Sequence, residues 1–326
     1  YLPAGTYVVG GSCTIGNDAY WYGDGPLGTV IKAANGANAD VIRAISANRW
    51  TITDLQVDGN NSNRIGIICT GAIKFCIDRV FIKNCVEDGL YLDGPDSGDT
   101  WGMEPTVTNV IVDTVGRHGI RYHGAHDGHF SNIVVIDAGK SANNGFSGLY
   151  IGPTANGRFF NVHCWSRSTT TNRMAYAVNV AGSGCEFIGC HFEGAYSANV
   201  LIIAQGTVFK GTRCYAAWNG VNVLLRAPLC RLDLYLEGPG LGRPACKGVV
   251  LGLSASDNVG SNYIEISGVA QEAGFIDFTN SVGENTIIAR GYNGSGTNIV
   301  GTPHATDVCI VDISGPSATK LRQNVT

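Results

Sequence analysis

Three short stretches decide how this chain folds: Asp88-Gly89-Leu90-Tyr91-Leu92, His118-Gly119-Ile120-Arg121-Tyr122 and Ser147-Gly148-Leu149-Tyr150-Ile151. Each is a glycine followed by a strand-like alternation of apolar and polar side chains. The same small-residue anchor recurs upstream at Gly66 and downstream at Ala177, Asn199, Gly220, Gly248 and Gly274, each leading into an apolar strand. Successive anchors lie 23, 30, 29, 29, 22, 21, 28 and 26 residues apart. A repeat of this period marks a solenoid, in which each unit buries its apolar side only against its neighbours.

Between the anchors runs a second register: Asp54-Leu55-Gln56-Val57-Asp58, Arg79-Val80-Phe81-Ile82-Lys83, Asn109-Val110-Ile111-Val112-Asp113 and Asn132-Ile133-Val134-Val135-Ile136. It continues through Asn161–Trp165, Gly189–Glu193, Gly211–Tyr215 and Asp233–Glu237. Short strands at even spacing fit a sandwich, a barrel or a solenoid alike. Two registers per repeat, with no long helical periodicity, select the solenoid. The expectation is an all-β parallel β-helix of roughly nine to ten coils over residues 1–290. Residues 291–326 are expected as a C-terminal extension, either a last coil or an oligomerisation element.

Composition agrees. The 326 residues hold 45 glycines, 44% hydrophobic and only 15% charged residues, which excludes a disordered chain. No run approaches ~18 uninterrupted apolar residues, so no membrane-spanning helix is expected. Lys and Arg number 22 against 26 Asp and Glu, a net −4, which argues against a nucleic-acid partner held through its phosphates. The 11 cysteines are scattered through apolar runs rather than paired in CxxC motifs. They read as small buried hydrophobes of a chain that folds in a reducing compartment. The opening Tyr1-Leu2-Pro3-Ala4-Gly5 has no secretory signal character. Gly23-Asp24-Gly25-Pro26-Leu27-Gly28 has the spacing of a dinucleotide loop, but a strand rather than a helix follows it.

Tyr1-Leu2-Pro3-Ala4-Gly5-Thr6-Tyr7, Gly23-Asp24-Gly25, Thr29-Val30-Ile31 and Asp54–Asn60 together resemble the opening elements of pectate-lyase-like right-handed parallel β-helix proteins. Within that superfamily, the free cysteines and Gly/Ser/Asn-rich coils look most like a bacteriophage tailspike. The resemblance implies a virion protein acting on a bacterial surface polysaccharide at the host surface; a homotrimer is expected from the outward apolar run Phe81, Ile111, Val134 and Ile136, and no cofactor is expected. It carries no catalytic motif residue by residue, because this fold serves lyases, glycosidases, epimerases and inert adhesins.

Candidate residues therefore come from the register. One outward column reads Gln56, Phe81, Ile111, Val134, His163, His191, Arg213, Tyr235; its neighbour reads Asp58, Lys83, Asp113, Ile136, Trp165, Glu193, Tyr215, Glu237. Phe81, Ile111, Val134 and Ile136 are too apolar to face water, so a covering loop or subunit is expected there. Glu193 and Glu237 are candidate catalytic carboxylates two coils apart, hence about 10 Å between Cα atoms; side-chain reach leaves inverting and retaining glycoside hydrolysis both open, with inverting the better fit. His163, Trp165, His191, Arg213, Tyr215 and Tyr235 are the matching sugar-binding candidates. The first register gives a second candidate patch: Tyr91, Asp93, Arg121, His123, Asp127 and Tyr150, extended by Asp96, Asp99, Trp101, Glu104, His126 and His129. No metal is expected: His118, His123, His126 and His129 lack ligand spacing, and Asp93, Asp96 and Asp99 lack a calcium-loop spacing.

The leading expectation is an endo-acting depolymerase that hydrolyses capsule or O-antigen glycan. A lyase acting on a uronate-containing glycan, through His191 or Tyr215 with Arg213, is the alternative enzyme. A non-catalytic glycan-binding adhesin is the third reading.

Overall fold

The computed structural model describes the chain apart from residues 95–103, 125, 168–170, 219, 239–246, 255, 270–273, 293–297, 316–317 and 325–326. Every regular element among the described residues is a strand, and no helix is long and apolar enough to cross a membrane. The chain divides into two compact units, Tyr1–Ala175 and Tyr176–Thr326. Each is a parallel β-solenoid, and the chain makes about eleven turns.

In the first unit one sheet, the first face, stacks Ile42–Ile45, Ile67–Thr70, Leu90–Asp93, Ile120–His123 and Ser147–Ile151. In the second unit the equivalent ladder is Tyr176–Val180, Ala198–Ile202, Val221–Leu225, Lys247–Leu251 and Ile276–Asp277. The anchor glycines open these strands because the opposite wall closes on them. A Cβ on Gly89 would lie 2.4 Å from Val112 Cγ1, and one on Gly119 would lie 2.2 Å from Val135 Cγ1.

The second register folds as two faces rather than one. Strands such as Thr51–Asp58, Cys76–Lys83, Gly128–Ile136 and Gly157–Trp165 each bend midway. The bend falls on Asp54, Arg79, Asn109, Asn132 and Asn161, with φ of 58°, 49°, 54°, 53° and 49°. Asn and Asp tolerate this left-handed conformation better than other residues with a side chain. Asn132 donates to Asn109 Oδ1 at 3.1 Å, and Asn161 to Asn132 Oδ1 at 2.9 Å, so the corner is also an asparagine ladder. In the second unit Gly189 and Gly211 make the bend at φ of 61° and 57°. The residues that begin each second-register repeat are therefore corners. The stretch before each corner forms a third face, lined inside by Ile52, Ile77, Val107, Phe130 and Phe159 in one unit and Phe187 and Phe209 in the other.

The inward column Val57, Ile82, Val112, Val135, Cys164, Phe192, Cys214 and Leu236 is wholly buried, each at 0% exposure. Burying each large aliphatic or aromatic side chain contributes about 1.5–3 kcal/mol, so the column is the spine of the fold. The expected pairing is observed within each unit: Gln56 with Phe81, Phe81 with Ile111, Ile111 with Val134, and Val134 with His163. His191 pairs with Arg213, and Arg213 with Tyr235. Parallel pairing also links Thr286–Tyr292 with Val308–Ser314, on which Thr319–Gln323 lies antiparallel.

Candidate active site

The outward side of the first face in the first unit gathers a set of interacting ionisable groups. Tyr91, Arg121 and Tyr150 stand side by side on successive strands, and Asp93 pairs with His123 two residues further along. Alternation turns these side chains out while Leu90, Leu92, Ile120 and Tyr122 fill the core. Tyr91 donates its hydroxyl to Asp93 Oδ2 at 2.9 Å, and His123 Nδ1 lies 3.2 Å from Asp93 Oδ1. An ionised Asp93 accepts from both, which puts the imidazole proton on Nδ1 and leaves a basic lone pair on Nε2. The His123 ring lies over the bare backbone of Gly152, where a Cβ would come within 2.3 Å of His123 Cδ2. Glycine there is a condition of the ring's position.

Arg121 lies between two partners. Its guanidinium carbon is 4.5 Å from the Tyr91 ring centroid, and Nη1 is 4.0 Å from Asp88 Oδ2. Burial, and next the hydrogen bond to Asp93, push the Tyr91 phenol up to about 12, so it keeps its proton at neutral pH.

Two neighbours belong to this group: Asp88, part of an anchor stretch in the sequence, and His118, one of the four histidines weighed for zinc. Asp88, 2% exposed, accepts the His118 backbone N–H at 2.9 Å, and burial lifts its carboxyl to about 6. His118 is packed at 5.0 Å from the Tyr150 ring and 5.3 Å from Phe146. Its Nδ1 accepts the Ser147 N–H at 3.0 Å. Burial first, and then the Arg121 charge, lower it to about 4, so it is neutral at physiological pH. The sequence signal was positional: Asp88, His118 and Ser147 each stand one residue before an anchor glycine, forming a polar column at the turn.

The remaining first-register candidates spread away from this group. Asp127 is exposed on the following turn, its N–H held by Asn156 Oδ1 at 2.8 Å. Glu104 pairs with Lys74 at 3.8 Å, and His129 sits on the third face against Phe160, 5.3 Å between rings. The exposed His126 lies on the turn between these faces, so the four histidines considered for zinc are dispersed. Asp96, Asp99 and Trp101 lie outside the described residues.

In the second unit the outward side of the second face carries the other candidates. Glu193, Tyr215 and Glu237 occupy one column in successive strands, so the two carboxylates are two strand steps apart. Arg213 donates through both Nε and Nη2 to Glu237 Oε2, and its guanidinium carbon lies 5.7 Å from the Tyr235 ring. His191 Nε2 is 4.0 Å from Glu193 Oε2. His163 and Trp165 end the second face of the first unit, with rings stacked at 6.1 Å. Arg167 lies over the Trp165 ring at 5.9 Å and clamps Asp113 and Asp137 at 2.7 and 2.6 Å.

Fold and faces together define a parallel β-solenoid with an acid–base group on one outward sheet. Over 238 residues the chain is 27% identical to the capsule K8-specific Depolymerase 1 of Klebsiella phage K5-4, covering 68% of this chain. That match spans 32% of the relative's own length, so the chain corresponds to about a third of it. Among solved structures, it is similar to the A-module of the Azotobacter vinelandii mannuronan C-5 epimerase AlgE6 at a TM-score of 0.70 and 15% identity. That alignment covers 97% of this chain and 90% of that one. It is also similar to tailspike protein 2 of the Escherichia coli O157:H7 bacteriophage CAB120, with a TM-score of 0.58, 15% identity and coverage of 89% and 42%. No protein-family model matches the chain.

Proposed function

We propose that the chain is the β-helical part of a phage depolymerase that cleaves a bacterial surface polysaccharide on the first face of the first unit. The sequence similarity to a capsule-specific depolymerase supports the substrate class. The observation that carries the location is the Asp93-ordered His123 beside Arg121 and a protonated Tyr91. These groups suit β-elimination from a uronate-containing glycan. Arg121 receives the sugar carboxylate and stabilises the charge that develops when the adjacent carbon loses its proton. His123 Nε2 takes that proton as general base, oriented by Asp93. The bond from the ring to the glycosidic oxygen then breaks, and Tyr91 gives its proton to the leaving oxygen. One product ends in an unsaturated uronate, the other in a new hydroxyl.

Hydrolysis by Glu193 and Glu237 is the second reading, favoured by their separation of two strand steps, about 10 Å between Cα atoms. Against it, Glu237 is engaged by Arg213, and a carboxylate held by a guanidinium makes a poor proton donor. Incubation with a panel of capsular and O-antigen polysaccharides decides between them. Elimination produces new reducing ends together with the ultraviolet absorbance of a conjugated alkene; hydrolysis produces reducing ends alone. Binding without either product would make the chain an adhesin. The same reading places the chain on a phage tail as a homotrimer, with the outward Phe81, Ile111, Val134 and Ile136 facing another subunit. A monomer in sedimentation at micromolar concentration would remove the trimer.

A further inference from the structure

Asp88 is a buried carboxylate that the elimination scheme leaves without a task. It sits at the turn into Leu90–Asp93, with one oxygen held by the His118 N–H at 2.9 Å. Its other oxygen faces Arg121 Nη1 at 4.0 Å, beyond hydrogen-bond length but well within charge–charge range. Arg121 therefore has a counter-ion that reaches it electrostatically without occupying its donors. Arg121 is half-buried on the outward face beside the Tyr91 ring, where an incoming carboxylate would dock.

We infer that Asp88 is a positioning residue, the internal counter-ion of Arg121, and that its charge state sets how strongly this face captures a sugar carboxylate. With Asp88 ionised, the guanidinium is already partly compensated and attracts an acidic sugar weakly. With Asp88 neutral, the full positive charge is available to the ligand. The groups facing Asp88 are Arg121 on the next strand, Arg117 and His118 in the turn before that strand, and Glu87 beside it. Tyr91, on the strand that Asp88 leads into, and the buried Cys85 thiol also face it. Glu87 is itself held by Arg64 and Arg117, each at 3.2 Å, and the His118 imidazole is neutral. Asp88 is thus the group of this set that changes charge near pH 6. The inference rests on the reading above only for the kind of ligand, an acidic sugar.

The test is calorimetric titration of the full chain with glucuronate, and with glucose as its uncharged counterpart, between about pH 5 and pH 8, a range that brackets the Asp88 value of about 6. Glucuronate affinity should fall about tenfold across that range, one pH unit's worth of coupling between Asp88 and the ligand, while glucose affinity stays level. Asp88→Asn keeps an oxygen for the His118 N–H and should hold the tight, low-pH affinity throughout. His123→Gln, which removes the neighbouring imidazole, is the second variant; it should retain a midpoint near 6. Glucuronate that fails to bind at any pH, an Asp88→Asn chain that keeps the parent slope, or a His123→Gln chain that loses it would each overturn the inference. Should Asp88→Asn fail to fold, the His123→Gln titration alone decides. A chain that shows the slope but yields no unsaturated product would sink the elimination reading and leave this one standing.

Discussion

The two units wear their chemistry on different faces. In the first unit the outward first face is ionisable, with Tyr91, Asp93, Arg121 and His123, while its second face turns out Phe81, Ile111, Val134 and Ile136. In the second unit the roles are exchanged. The first-face column holds Leu201, Leu224 and Val250, all buried, while the second face turns out His191, Glu193, Arg213, Tyr215, Tyr235 and Glu237. The inward column is apolar in both. The lesson is that a solenoid's stability lives in its inward positions, leaving each outward column free to become an interface, a covered patch or a reactive face.

The comparison can be broken most directly by mutating one face at a time. Asp93→Asn and His123→Ala should lower turnover by about 10²–10⁴-fold, the usual worth of a positioned general base, with glycan binding largely kept. Glu193→Gln and Glu237→Gln should cost far less; the opposite ranking moves the reaction to the second unit. Gly152→Ala touches no substrate, yet its new methyl must displace the His123 ring. A misplacement near 1 Å costs about 10²-fold, so kcat should drop sharply while the circular dichroism of the fold is retained.

Smaller effects sharpen the contrast within the first unit. Asp88 and His118 pull stability in opposite directions with pH. Asp88 has a folded value of about 6, above the 3.8 of a free carboxyl, so its contribution is greatest at low pH and is lost as pH rises toward 6. His118 falls from 6.5 to about 4 on folding, so its contribution is present above 6.5 and is lost as pH falls toward 4. The two offset each other between about pH 4 and 6.5. Thermal melts across that range should therefore show a steeper rise of Tm with pH in Asp88→Asn, and a fall with pH in His118→Gln. Matching slopes in both variants would show that these groups are not perturbed as described.

The least costly change is on the structural side. Arg167 ties Asp113 to Asp137 and is 41% exposed, so its pair with Asp113 is screened by solvent, while Asp137 is buried and keeps the Arg167 backbone N–H at 2.8 Å as a partner. Arg167→Met should cost about 1 kcal/mol by urea unfolding, and a loss several times larger would mean that the strap holds more than a surface pair.

Much of this molecule was legible in its sequence, for reasons that differ by residue. The anchor glycines and the apolar inward column gave the solenoid and its register, because a period of two leaves one assignment of faces that buries Val57, Ile82, Val112 and Val135 together. The same count placed Tyr91, Arg121 and Tyr150 side by side, and Glu193 two steps from Glu237. The corner at Asp54, Arg79 and the three asparagines looks in the sequence like a strand beginning, because period two is blind to one left-handed residue in the middle of a strand. Arg213's engagement of Glu237 was also hidden, since it depends on the direction of a long side chain between neighbouring columns.

The sequence by itself determined which residues face the core and which share an outward column. These follow from alternation and repeat length, which are local properties of the chain. Only the tertiary structure decided which outward residues react with one another. Asp88 and His118 owe their altered proton affinities to burial by neighbouring turns, and His123 owes its position to the space above Gly152. Desolvation and close approach across coils arise from residues some 30 positions apart in the chain, and no local pattern records them.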